Sequence, residues 1–290
     1  MSNHITYRFS GHDTFHCRPL WLKKGFDFVN KGKLFNDNDS VVDLGVGKNM
    51  VGAIKFWMRA FGFYNLQTNK IEGLAPYIFD KNGFDPFLEN EGTLFLLHYL
   101  LIKNWEVSSI YNLVFTKLIK EKQEFTKDNL YSFIRTECVK EDVDFNINTL
   151  NNDIKVFLKN YVPSTDKKES YEDSFNGLFY DLRLINKIQT SAGEQKYRFN
   201  IDSRKQLPTA IFFYVLLDTF NDISISFESI YDRVSRLFLM HKEGTYDKII
   251  KLEKDYPDLV IFKDDGGRKE VQIKEGINKL DILRRYYDAV

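Results

Sequence analysis

Between residues 48 and 61 apolar side chains return every three to four positions: Met50, Ile54, Trp57, Met58 and Phe61. At about 100° per residue they share one side of a helix. Lys48, Gly52, Lys55 and Arg59 fall on the opposite side, Asn49 stands beside them, and no acid lies in the segment. Upstream, DNDSVVDLGVG predicts a short helix closed by a glycine turn. Downstream, FYNLQTNKIEGL predicts two short strands around Asn69-Lys70. Helix, tight turn, then a helix with an apolar inside and a basic outside is a helix-turn-helix pattern. Gly52 on the outer face would let that helix approach another surface closely. The plain alternative is a core helix with a solvated lysine face.

Residues 147–161 align with 47–61 without a gap. Leu150, Ile154, Phe157, Leu158 and Tyr161 take the apolar positions. Asn148, Asn152, Lys155 and Lys159 take the outer ones, while Asp153 lies off that arc. Residues 125–139 predict a preceding helix, and LINKIQTSAGEQKYRFNI predicts two strands around Ser191-Ala192-Gly193. Near the C-terminus, SFESIYDRVSRLFLMH carries an apolar stripe and predicts one helix, with Ser226 as its N-cap and no capping box. LVIFKDDGGRKEVQIK then predicts a hairpin, and EGINKLDILRRYY a closing helix.

The expected fold is mainly α with small β hairpins (α+β), built of two or three winged-helix-like helix-turn-helix units. They span 1–85, 86–206 and 207–290: an N-terminal winged-helix-like unit, a central helical unit with the second copy, and a C-terminal helical unit with a hairpin wing. Polar, proline-bearing stretches at 82–92 and 162–173 are the candidate linkers.

Charge narrows the functional classes. The 41 basic and 41 acidic residues cancel, so any nucleic-acid contact must come from local patches. The two cysteines, Cys17 and Cys138, form no CxxC pair, and no apolar run reaches the ~20 residues of a membrane span. A cytoplasmic protein without membrane contact is expected. A phosphate-binding loop ending at Gly47-Lys48 is excluded: Val42 stands where its first glycine belongs and Asn49 where its hydroxyl belongs.

FSGHDTFHCRPLWLKKG (9–25) is dense in chemical side chains. His12 and His16 have metal-ligand spacing only on a helix, which Gly11 and Pro19 discourage. Further ligands would have to come from His4, His98 or Cys138. The expected role is structural, with Phe15, Leu20, Trp21 and Leu22 anchored and Arg18, Lys23 and Lys24 outward. No metal and no cofactor are assigned. At the C-terminal hairpin, Asp258, Gln272 and Lys274, with Glu253 upstream, match loosely the acid and acid-x-Lys arrangement of Mg²⁺-dependent nucleases.

The motifs FSGHDTF, R, WLKKG, LGVGKNMV, DPFLENEGTL and TLNNDIKVFLKNYVPS together resemble an uncharacterised bacterial family, a domain of unknown function. Its genes sit beside DNA sulfur-modification (phosphorothioation) genes and in phage-defence islands. The matching positions are His12, Phe15, Arg18, Trp21, Gly45, Gly47, Lys48 and Asn49. The resemblance implies a context and no catalytic residues. The expectation is a non-enzymatic DNA-binding or adaptor subunit, with DNA and other subunits of such a complex as partners. Lys48, Asn49, Gly52, Lys55, Arg59, Asn148, Asn152, Lys155 and Lys159 would face the duplex. A protein-interaction scaffold and a Mg²⁺-dependent nuclease are the alternatives.

Overall fold

The computed structural model describes residues 6–163, 177–189 and 193–290. His4, the expected linker from residue 164 onward, and Ser191-Ala192 lie outside the described residues. The chain is α+β, with helices and small antiparallel sheets. It divides into two compact units, Met1–Phe199 and Asn200–Val290.

In the first unit, α1 (Pro19–Asn30), α2 (Ser40–Leu44) and α3 (Lys48–Ala60) precede a hairpin of β1 (Tyr64–Asn65) and β2 (Lys70–Ile71). Pro19 suits the first turn of α1, where its missing N–H costs nothing. α2 ends at Gly45 in the left-handed region, φ 59°, as the glycine turn required. α4 (Ala75–Phe79) and α5 (Glu91–Lys103) lead to α6 (Ser109–Asn112), which widens into a π turn over Leu113–Leu118 before α7 (Ile119–Glu121). There follow β3 (Glu124–Phe125), α8 (Lys127–Lys140), α9 (Ile147–Tyr161), β4 (Ile185–Gln189) and β5 (Gln195–Phe199). A reciprocal cap between Thr126 and Asn129 opens α8. The Asn146 side chain opens α9 by accepting the amides of Asn148 and Thr149.

The second unit runs α10 (Thr209–Thr219), β6 (Ser224–Ser226), α11 (Phe227–Arg233), α12 (Lys242–Asp255), β7 (Val260–Asp265), β8 (Arg268–Ile273) and α13 (Lys279–Tyr287). Its sheet has the order β6-β8-β7, and that of the first unit β3-β5-β4. Helix, short strand, two helices, then a hairpin whose second arm pairs the short strand therefore occurs twice.

One expected helix is broken. Residues 226–241 form α11 and then a separate 3-10 turn, Ser235–Phe238, with Leu239 at φ 54°. Both pieces bury their apolar side chains, Ile230, Val234, Leu237 and Phe238, so the stripe survives the break. The helix directly before the hairpin is α12, which the apolar pattern did not reveal.

The core of the first unit is a run of rings. Trp57, wholly buried, meets Phe61 and Tyr111 at 6.2 Å each. Tyr111 meets Phe157 at 5.4 Å, Phe157 meets Tyr161 at 5.3 Å, and Tyr161 stacks on Phe179 at 5.2 Å. These rings tie α3 to α9. Trp57→Ala would leave a cavity at the centre of this run. It is expected to lower the unfolding free energy by about 3–5 kcal/mol, read by urea denaturation.

Candidate nucleic-acid interface

Lys48 and Asn49 are exposed at the start of α3, and Lys55 and Arg59 are half-exposed further along. The Lys55 ammonium donates to Asn36 Oδ1 at 2.9 Å. Among the described residues Lys48, Lys55 and Arg59 make no ion pair with a carboxylate. Burial, and second the repulsion of Arg8, lower the pKa of the Arg59 guanidinium from its ordinary value.

Gly52 does something other than expected. A Cβ there would lie 2.7 Å from Asp13 Oδ2. The missing side chain admits the chain's own acid, not an outside surface, and it places a carboxylate midway along the basic row.

On α9, Asn148 and Lys155 are exposed, while Asn152 and Lys159 are half-buried. Lys155 makes no ion pair among the described residues, whereas Lys159 is engaged. Asp153 is buried and accepts from His12 Nε2 at 2.8 Å and from the Ser10 amide at 2.9 and 3.0 Å. The Thr14 amide donates to His12 Nδ1 at 3.2 Å, so the ring proton sits on Nε2 and points at Asp153. The His12 ring lies edge-on to Phe56 and near-parallel to Trp57, at 5.4 and 6.2 Å.

The remaining motif residues extend this lacing. The Trp57 indole donates to the Phe15 carbonyl at 3.1 Å, and the Cys17 amide to Asn160 Oδ1 at 3.1 Å. A Cβ on Gly11 would strike the Phe56 ring at 2.6 Å, so the arm there passes against α3 with no side chain between. The segment 9–18 thus straps α3 to α9. Trp21 and Leu22 are buried as expected, and Phe15 is half-buried. Leu20 is 58% exposed, because Pro19 starts the helix with that position outward. Arg18 does not face out: it lies over the Trp21 ring at 5.1 Å, with Nε and Nη2 buried and no hydrogen-bond partner among the described residues. Gly45 and Gly47 bracket the turn into α3, Gly47 as its N-cap.

The His12-to-Cys17 stretch makes a turn, with Asp13 and Thr14 at positive φ, so the two histidines never share a helical face. His98 is bonded to Tyr161 at 2.9 Å. Cys138 is buried, which together with Glu137 pushes its thiol up to about 11. Among the described residues no group of three or more His, Cys, Asp or Glu is arranged to hold a metal ion. At the C-terminal hairpin Asp258 and Lys274 are exposed, and the Lys274 amide donates to the Leu259 carbonyl at 2.9 Å. The Gln272 amide is spent on Glu270 at 2.9 Å, and the Glu253 carboxylate on the Phe262 amide at 2.8 Å.

Sequence reasoning missed Asp153 and Asn160 as partners of the arm. It missed also α12 with the hairpin residues Arg268 and Lys269, which together border a cleft of about 850 Å³. The one signal was an acid and an amide at the edge of an apolar stripe.

The profile of a family described as a protein of unknown function matches residues 9–287. Curated proteins give no match. Two solved structures are similar over nearly the whole chain. One is a crystal structure of SspB, 25% identical, with a TM-score of 0.85 and covering 98% of this chain and 89% of that one. The other, at 27% identity with the same TM-score and coverage, is SspB bound to magnesium ion.

His12→Ala and Asp153→Ala should each lower the unfolding free energy by about 1–3 kcal/mol, since each takes one partner from a buried hydrogen bond. The double variant should lose less than the sum, by about 0.5–3 kcal/mol. Strictly additive losses in urea denaturation would show that the two do not act as a pair.

Proposed function

We propose, from the premise that this chain belongs to the DUF4007 family of proteins of unknown function, that it is a duplex-DNA-binding or adaptor subunit of a bacterial DNA-modification or phage-defence system. The observation that carries the reading is the row Lys48, Lys55 and Arg59, free of ion pairs on a chain whose net charge is zero. A solvent-facing row of cations that make no ion pair among the described residues is a place for the phosphates of a polyanion. The chain order supports it. We read α1–β2, α6–β5 and α10–β8 as three winged-helix units, with α3, α9 and α12 as the helices that precede each hairpin. Lys48, Asn49, Lys55 and Arg59 then make phosphate contacts, with Asn148, Asn152 and Lys155 on α9 as a second patch. Gly52 is withdrawn from the contact set, because Asp13 stands over it. The DNA-modification context rests on the motif resemblance. An adaptor would use the same faces against acidic partner surfaces, and co-purification with neighbouring gene products without retained DNA would favour it.

The second reading is a Mg²⁺-dependent nuclease using Asp258, Gln272 and Lys274, favoured by the magnesium-bound relative. The donors do not fit well. Gln272 is held by Glu270, Glu253 by a backbone amide, and no acid cluster stands beside Asp258, so no metal step is assigned.

Fluorescence anisotropy with a 20-base-pair duplex tests the first reading. A Lys48→Ala/Lys55→Ala/Arg59→Ala variant should bind at least tenfold more weakly. Its slope of log affinity against log salt should flatten by about 2.5–3, the share of three phosphate contacts. Equal affinity in a folded variant would contradict it. For the second reading, plasmid nicking in Mg²⁺ that survives Lys274→Ala rules out this set of residues.

A further inference from the structure

A cleft of about 420 Å³ opens between the arm, the end of α3 and the start of α9. Three charged side chains line it: Arg8, Arg59 and Asp144. Neither arginine pairs with Asp144 or with any other carboxylate among the described residues. They stand close enough that Arg8 disfavours the charge on Arg59. Like charges held together in a partly desolvated place cost free energy, and a shared anion removes that cost.

The convergence is built into the backbone. Arg8 is fixed in both directions against Ser109: its amide donates to Ser109 Oγ at 2.8 Å, and its carbonyl accepts from the Ser109 amide at 3.1 Å. Two residues on, the Ser10 amide is held by Asp153. The Arg59 carbonyl accepts from Asn104 Nδ2 at 2.7 Å. The two side chains are thus delivered to one cleft by anchored segments. The start of α9 adds little beyond its dipole, because the Asn146 side chain already takes the amides of Asn148 and Thr149. Phe56 forms a buried wall, and Phe9 and Phe145 are half-exposed among the lining residues.

We propose that this cleft binds a phosphate group, gripped between the guanidinium forks of Arg8 and Arg59. Two planar forks suit a tetrahedral oxyanion with several acceptors better than a carboxylate, which one fork satisfies. The ligand carries a phosphate or phosphoester group. It is a backbone phosphate of the bound duplex if the DNA-binding reading above holds, and a free or terminal phosphate if it does not. In the first case Arg8, outside the helix-face row, joins Arg59 in holding the strand.

Two probes separate these sources: inorganic pyrophosphate by titration calorimetry, and the 20-base-pair duplex by anisotropy. The variants are Arg8→Ala, Arg8→Lys, Arg59→Ala and, outside the cleft, Lys48→Ala/Lys55→Ala. Arg8 is exposed, so its variants are expected to fold, as a circular-dichroism melt can show. Pyrophosphate should bind wild type and the Lys48→Ala/Lys55→Ala variant alike, and Arg8→Ala and Arg59→Ala about tenfold more weakly. Arg8→Lys, which keeps the charge and loses the fork, should recover only part. If the duplex fills the cleft, Arg8→Ala also weakens duplex binding and flattens its salt slope by about 0.9. Weakened pyrophosphate binding with unchanged duplex binding keeps the site and assigns it a free or terminal phosphate. If Arg8→Ala and Arg59→Ala match wild type with both probes, the phosphate site is overturned, while loss of duplex binding in the Lys48→Ala/Lys55→Ala variant would leave DNA binding standing. If wild type binds no duplex, DNA binding falls and the pyrophosphate result alone decides the cleft.

Discussion

Asp153 sits in the middle of a helix whose neighbouring positions bury hydrocarbon, and only 2% of its surface reaches solvent. An unpaired polar group there costs about 1–3 kcal/mol, and more if it carries charge. The chain meets that requirement from 141 positions away, with His12 and the Ser10 amide. Much of the first unit follows from this one bond. To reach Asp153 the arm must cross α3, so Gly11 lies against Phe56 and the His12 ring fills the space beside Trp57. The same crossing puts Asp13 over Gly52 and Arg8 beside Arg59. The motif that looked like candidate metal chemistry is a strap, and its histidine is a hydrogen-bond donor to a buried acid.

The electrostatics of the helix edge come from the same crossing. Asp13 divides the basic row on α3, leaving Lys48 and Asn49 on one side and Lys55 and Arg59 on the other. Arg8 adds a cation at the far end. A surface of this kind favours discrete phosphate contacts over a broad positive field, which suits a chain with no net charge.

Local signals were legible wherever the local rule decides the outcome. α3 shows its apolar period, Gly45 its left-handed turn, Ser226 its cap, and the β7–β8 hairpin its Asp-Asp-Gly-Gly turn. α12 was hidden because three of its buried positions are Gly244, Thr245 and Lys248, and the last buries an ammonium against the Leu207 carbonyl at 2.5 Å. No apolar stripe marks such a helix. The reading of 226–241 as one helix failed for the opposite reason: its stripe continues across a chain break in direction. On α3, the outward cations could be read from periodicity. Asp13 over Gly52 could not, because nothing in either stretch specifies that they meet. Asp153 was set aside for lying off the outer arc, and its angular position was itself the clue that it faced another part of the chain.

Amide hydrogen exchange with and without a duplex measures the central claim directly, that the strap leaves one cationic edge of α3 free for DNA. The account predicts slowed exchange concentrated at residues 7–10, 47–60 and 147–156, with residues 209–219 unchanged. Slowing confined to other segments, or none at saturating duplex, would contradict it.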